Sequence, residues 1–117
     1  VADPSGVAWA CLSVALAALD ASDVRYGSLT WNTAHQTAAR ALARAERAFS
    51  DLDAPPRSRR RRVLAEALDK ARVCVTYFEE GDLVELDRYA GLAERAARRA
   101  LALETGKIDP ASSVHLD

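Results

Sequence analysis

Five arginines in the run Arg57-Ser58-Arg59-Arg60-Arg61-Arg62 are the densest concentration of reactive charge in this chain. Guanidinium groups spaced this closely attract phosphate, carboxylate or a nucleic-acid backbone. The run follows Asp53-Ala54-Pro55-Pro56, and two consecutive prolines are tolerated only in a helix's first turn or outside it, so the arginines are expected to open a helix. There they face the positive end of the helix dipole, at a cost of about a few tenths of a kcal/mol each unless something compensates them. No aromatic residue interrupts the run, so base stacking and sequence-specific single-strand recognition find no support. Nonspecific nucleic-acid or phosphate binding is the chemistry such a cluster offers.

Other residue types suggest less. Glu79, Glu80, Asp82 and Glu85 lie around a turn signal at Gly81, and the Glu79-Glu80 pair reads as solvated helix-end carboxylates rather than as an acid and a base. His35 falls on an apolar helix face and His115 in the C-terminal tail. Two histidines so placed point to a buried, hydrogen-bonded His35 and support neither a zinc nor a haem site. Cys11 and Cys74 both stand among apolar residues, the setting of buried free thiols, with a helix-to-helix disulfide as the alternative. The sequence has no glycine-rich phosphate loop, no Cys-x-x-Cys and no His-Glu-x-x-His. The Arg, short spacer, His motif of small helical nucleases of the HEPN type is missing as well, since Arg25 stands too far before His35. No catalytic residue, metal ligand or cofactor site is therefore expected.

The elements that must position these groups are legible from periodicity. Leu64, Leu68, Ala71, Val75 and Phe78 recur at alternating four- and three-residue steps, as do Leu83, Leu86, Ala90, Ala93, Ala97 and Ala100. Each set forms one stripe along a helix. Between them Gly81 can take the left-handed conformation that ends a helix, and Asp82 can cap the next. The two helices should double back with their stripes facing. Upstream, Trp31, His35, Ala38, Leu42, Ala45, Phe49 and Leu52 keep a heptad rhythm, which predicts a helix from Ser28 or Thr30 to about Leu52 with Arg40, Arg44 and Arg47 in solvent. Residues 7–19 carry no charge. They are fewer than the ~20 needed to span a bilayer, so they predict a central core helix rather than a membrane span. Asp3 is placed to cap that helix, with Pro4 in its first position. Residues 20–28 read as a connection.

The stretch Tyr77-Phe78-Glu79-Glu80-Gly81-Asp82-Leu83-Val84-Glu85-Leu86 resembles the middle of a tetratricopeptide repeat, where an aromatic pair precedes a Gly-Asp turn and a second helix follows. Cys74 and Leu86 occupy positions where that family prefers small residues, and Ala93 matches its later small position. The likeness runs from residue 71 to about 93. One repeat period of ~34 residues upstream falls inside another helix, and the closing proline is absent, so the resemblance implies one helical hairpin. The family's usual work implies peptide or partner binding.

A length of 117 residues suits one domain, here residues 1–104 with a C-terminal tail or linker at 105–117. The start at Val1 and the absence of methionine are what a processed chain or an excised fragment would show. A formal charge of -1 leaves no global pull toward nucleic acid or membrane. Cellular location is not set by the sequence, with a cytoplasmic one favoured. Half the residues are hydrophobic and few are aromatic, which favours close-packed helices. The fold class expected is all-α, a four-helix antiparallel bundle or helical-hairpin array.

Antiparallel packing of the last two helices would gather Arg57, Arg59, Arg60, Arg61 and Arg62 with Arg95, Arg98, Arg99 and Lys107 at one pole, and Glu79, Glu80, Asp82, Glu85 and Asp87 at the other. Local pairs are also spaced to form, Arg62 with Glu66, Glu66 with Lys70 and Glu94 with Arg98. The functional expectation is a non-enzymatic interaction domain, an adaptor, scaffold or regulatory module that meets a protein partner or a second copy of itself as a homodimer through these poles. A rival reading places Trp9, Tyr26, Trp31 and Tyr77 around a small-molecule or catalytic pocket. A core lid is the alternative use of those rings.

Overall fold

The structure, a computed structural model, describes residues 5–106. Four helices follow in order, α1 (Ser5–Ala21), α2 (Leu29–Ser50), α3 (Arg59–Glu80) and α4 (Leu83–Glu104). The described residues contain no strand, and the helices pack as an antiparallel four-helix bundle. α1 packs against α2 and α4, and α3 completes the ring by packing against the same two. α1 also touches α3 across the centre, whereas α2 and α4 do not meet. α1 and α3 thus each touch all three other helices, and α1, whose one charged residue is Asp20 at its last turn, can be apolar nearly all round because its faces are covered.

The alanines explain the closeness of these contacts. Ala8, Ala15 and Ala18 on α1, Ala38, Ala41 and Ala45 on α2, and Ala90, Ala93, Ala97 and Ala100 on α4 are all buried. Small side chains let backbones approach, while Trp31, Leu64, Leu68, Phe78 and Leu86 supply the bulk. The α3 stripe is buried in full; on α4 only Leu83, the first residue, emerges. Trp9 and Leu16 are the exposed large residues of α1.

Local signals set the ends. Ser28 caps α2 through its hydroxyl, which accepts from the Trp31 amide. The prolines lie outside the helices, and Ser58 caps α3 by accepting from the Arg61 amide. Gly81 closes α3 at φ +72°. The Asp82 and Gly81 amides donate back to the Tyr77 and Phe78 carbonyls, the Schellman pattern, and the Asp82 carboxylate then accepts from the Glu85 amide to start α4. α4 stops at Thr105 and Gly106. The expected cap at Asp3 and Pro4, and Lys107 and His115 in the tail, lie outside the described residues.

Candidate functional site

Antiparallel packing brings the start of α3 beside the end of α4. The Nε of Arg60 donates to both oxygens of Glu104, at 3.0 and 2.9 Å, and the Glu104 side chain is only 6% exposed. Arg61 turns the other way, donating through Nε to the Ala54 carbonyl at 3.1 Å and lying over the Phe49 ring at 4.9 Å. Two of the five arginines are therefore consumed in holding the bundle together. Arg57 is exposed in the preceding turn. Arg59 and Arg62 meet Arg99 of α4 around a cleft of about 260 Å³, completed by Val63 and Glu66.

Among the described residues, this cleft holds the buried side-chain donors left without a partner. The Nε atoms of Arg59 and of Arg99 are both shielded from solvent without a hydrogen-bond partner among the described residues. The expected pairs Arg62–Glu66 and Glu66–Lys70 do not form: Glu66 joins the cleft wall, and the Lys70 ammonium lies 5.9 Å from the Tyr89 ring centroid. Glu94 and Arg98 do pair, at 3.1 Å. Arg95 is exposed one turn before Arg99.

The opposite end has a different texture. Glu79, Glu80 and Asp87 are exposed around the α3–α4 turn, Asp82 and Glu85 half-buried, and Asp20 and Asp23 join them from the end of α1. Arg88 is paired with Glu85 at 3.2 Å. Among these carboxylates stand apolar side chains that the bundle leaves uncovered: Leu29 is 83% exposed, Val84 77% and Tyr26 55%. The Tyr77 phenol is held above its ordinary titration range by partial desolvation first, then by Glu85, Tyr89, Glu80 and Asp82.

The four rings of the pocket reading do not share a cavity. Trp31 is buried, edge-on to Tyr26 at 5.2 Å and to Phe78 at 5.1 Å, which makes Tyr26 a lid on a filled core. Tyr77 packs on Tyr89 instead. Trp9 lies about 18 Å down α1 from the Tyr26 end, by helix rise. It lines a groove of about 480 Å³ with Gly6, Ala10, Ser13, Arg44, Ala48 and Asp51. His35 is half-buried and stacks on Phe78, with 5.4 Å between centroids, rather than hydrogen-bonding inside the core. Cys11 and Cys74 are buried free thiols, and burial pushes both up to about 12, far from the range of a nucleophilic thiolate. Among the described residues no group of three or more His, Cys, Asp or Glu side chains is placed to hold a metal ion.

Sequence reasoning did not pick out Leu29 and Val84 as surface features, although both signalled it. Leu29 falls outside the heptad seam that begins at Trp31, and Val84 stands beside Leu83 where the stripe needs only Leu83 and Leu86. The chain matches no protein-family model, no curated protein and no solved structure. Geometry and chemistry are therefore the grounds for a functional reading.

Proposed function

We propose that the chain is a non-enzymatic helical interaction domain, of the adaptor, scaffold or regulatory kind, that docks a basic, partly apolar segment of a protein partner on its acidic end. The observation that carries this reading is the exposure of Leu29, Val84 and Tyr26 at the same tip of the bundle as exposed Glu79, Glu80, Asp23 and Asp87. Apolar side chains left in solvent and rimmed by one sign of charge mark a contact surface, where the charges steer and orient and the apolar groups supply the affinity. The likeness of the Tyr77 to Leu86 stretch to a tetratricopeptide hairpin supports the same reading by analogy, since that family binds peptides and partner proteins. A second copy is one source of such a segment, because the opposite end carries Arg57, Arg59, Arg62 and Arg95.

Fluorescence anisotropy with a labelled model helix of alternating Lys and Leu faces tests the proposal, with an acidic helix of equal apolarity as control. The basic helix should bind, weaken as salt rises, and lose about tenfold or more of its affinity to the Leu29→Ser/Val84→Ser protein. Equal binding of both helices, or of the wild type and the double variant, would overturn it. Light scattering across the same salt series identifies the second copy as the occupant if mass falls toward the monomer.

A further inference from the structure

We propose that the cleft walled by Arg59, Arg62 and Arg99 is a binding site for a phosphate monoester, distinct from the protein-docking end. Three guanidinium groups against the one carboxylate of Glu66 leave the cleft a formal charge of +2. That is the complement of a phosphate monoester, which carries about -1.5 to -2 at pH 7. Both orphaned Nε donors belong to side chains of this cleft. A buried guanidinium donor without an acceptor is costly in a bundle that otherwise satisfies its side chains, and a phosphate oxygen is the acceptor that arginine's planar fork fits best. The site also opens at the start of α3, immediately after its Ser58 cap, where the helix dipole favours an anion and opposes the arginines themselves.

The neighbouring arginines sharpen the assignment by being spent elsewhere. Arg60 is bound to Glu104, Arg61 to the Ala54 carbonyl and Arg98 to Glu94. What remains in the cleft is three arginines, with Arg57 and Arg95 exposed outside it. Glu66 stands in its wall, and Glu94 on α4 is already paired with Arg98. No aromatic ring lines the cleft. A nucleic-acid backbone, with one charge per phosphate and a need for successive contacts, matches this niche less well than a single dianionic head.

Calorimetric titration with inorganic phosphate and with glycerol 3-phosphate, at fixed ionic strength set by chloride, tests the site. Both should bind and raise the melting temperature. Affinity should increase from pH 5 to pH 7.5 as the second phosphate proton leaves near pH ~6. Arg99→Gln, and separately the exposed Arg62→Gln, should weaken binding about tenfold or more, while Glu66→Gln should tighten it. Arg57→Gln and Arg98→Gln lie outside the cleft and should leave affinity within about twofold. Circular dichroism confirms that each variant keeps its helix content. No heat with either phosphate at millimolar concentration would overturn the proposal, as would weaker binding by Glu66→Gln. So would equal losses from Arg57→Gln and Arg99→Gln together with displacement by duplex DNA, the signature of a diffuse nucleic-acid surface.

Discussion

The two ends of the bundle are built from the same parts, a helix stop, a helix start and a cluster of like charges, yet they dispose of those charges differently. At the α3–α4 turn the carboxylates are mostly left in solvent among Leu29, Val84 and Tyr26. At the arginine end the charges are drawn into the packing. Arg60 sits at the start of one helix and Glu104 at the finish of another, each the wrong sign for its own dipole. By binding each other, two unfavourable placements become one partly buried pair. Arg59, Arg62 and Arg99 wall a cleft, and the Nε atoms of Arg59 and Arg99 have no hydrogen-bond partner among the described residues. The contrast separates charge that faces outward, available to a partner, from charge that has been turned inward to hold helices together or to hold a small anion.

Four substitutions would break or sharpen this contrast. The largest effect is expected under the acidic end, where Trp31→Ala empties the space between Tyr26 and Phe78 and should cost about 3–5 kcal/mol in chemical denaturation. A loss below about 1 kcal/mol would mean that the lid collapses over the gap and that this end is softer than its packing suggests. At the arginine end, Glu104→Ala leaves the Arg60 guanidinium without its carboxylate. Because Arg60 is 32% exposed, the penalty is discounted from that of a fully buried pair to about 1–3 kcal/mol. The surface control Glu94→Ala, which frees Arg98, should cost about 0.5 kcal/mol or less. Equal costs from the two would show that the inward pairing contributes nothing special. An effect smaller than that of Trp31→Ala is expected at the hinge of the acidic end. Gly81→Ala puts a side chain at φ +72° and a Cβ 2.5 Å from the Tyr26 ring, and should cost about 1–2 kcal/mol. Part of that should vanish in a Tyr26→Ala background, since removing the ring frees the space that the new Cβ needs. A double-mutant cycle with zero coupling would show the strain to be purely backbone.

Much of the fold was legible because its determinants are local. The Gly81–Asp82 pair and the proline pair act on their own neighbours, so the α3–α4 turn and the break between α2 and α3 followed from a few adjacent residues, while the Ser58 cap of α3 emerged only in the structure. The seam from Trp31 to Leu52 and the stripes of α3 and α4 could be read from spacing, because a helix places its residues at fixed angles whatever it packs against. The site was legible in outline only. The arginine run and the acidic turn were visible as charge, but Arg62–Glu66, correctly spaced for an i,i+4 pair, does not pair, and four aromatic rings that might have lined one pocket are distributed over a core lid, a surface pair and a separate groove.

By itself the sequence determined the number of helices, the approximate bounds of α2 and of the α3–α4 pair, and that the last two fold back on a glycine hinge, since all of this is written in contacts a few residues long. Only the tertiary structure decided which arginine meets Glu104, which reaches the Ala54 carbonyl and which are left around an unfilled cleft. Those partners lie up to 44 residues apart along the chain. Neighbouring helical residues point about 100° apart, so consecutive arginines are sent to different faces, and what each face meets is fixed only when the helices pack.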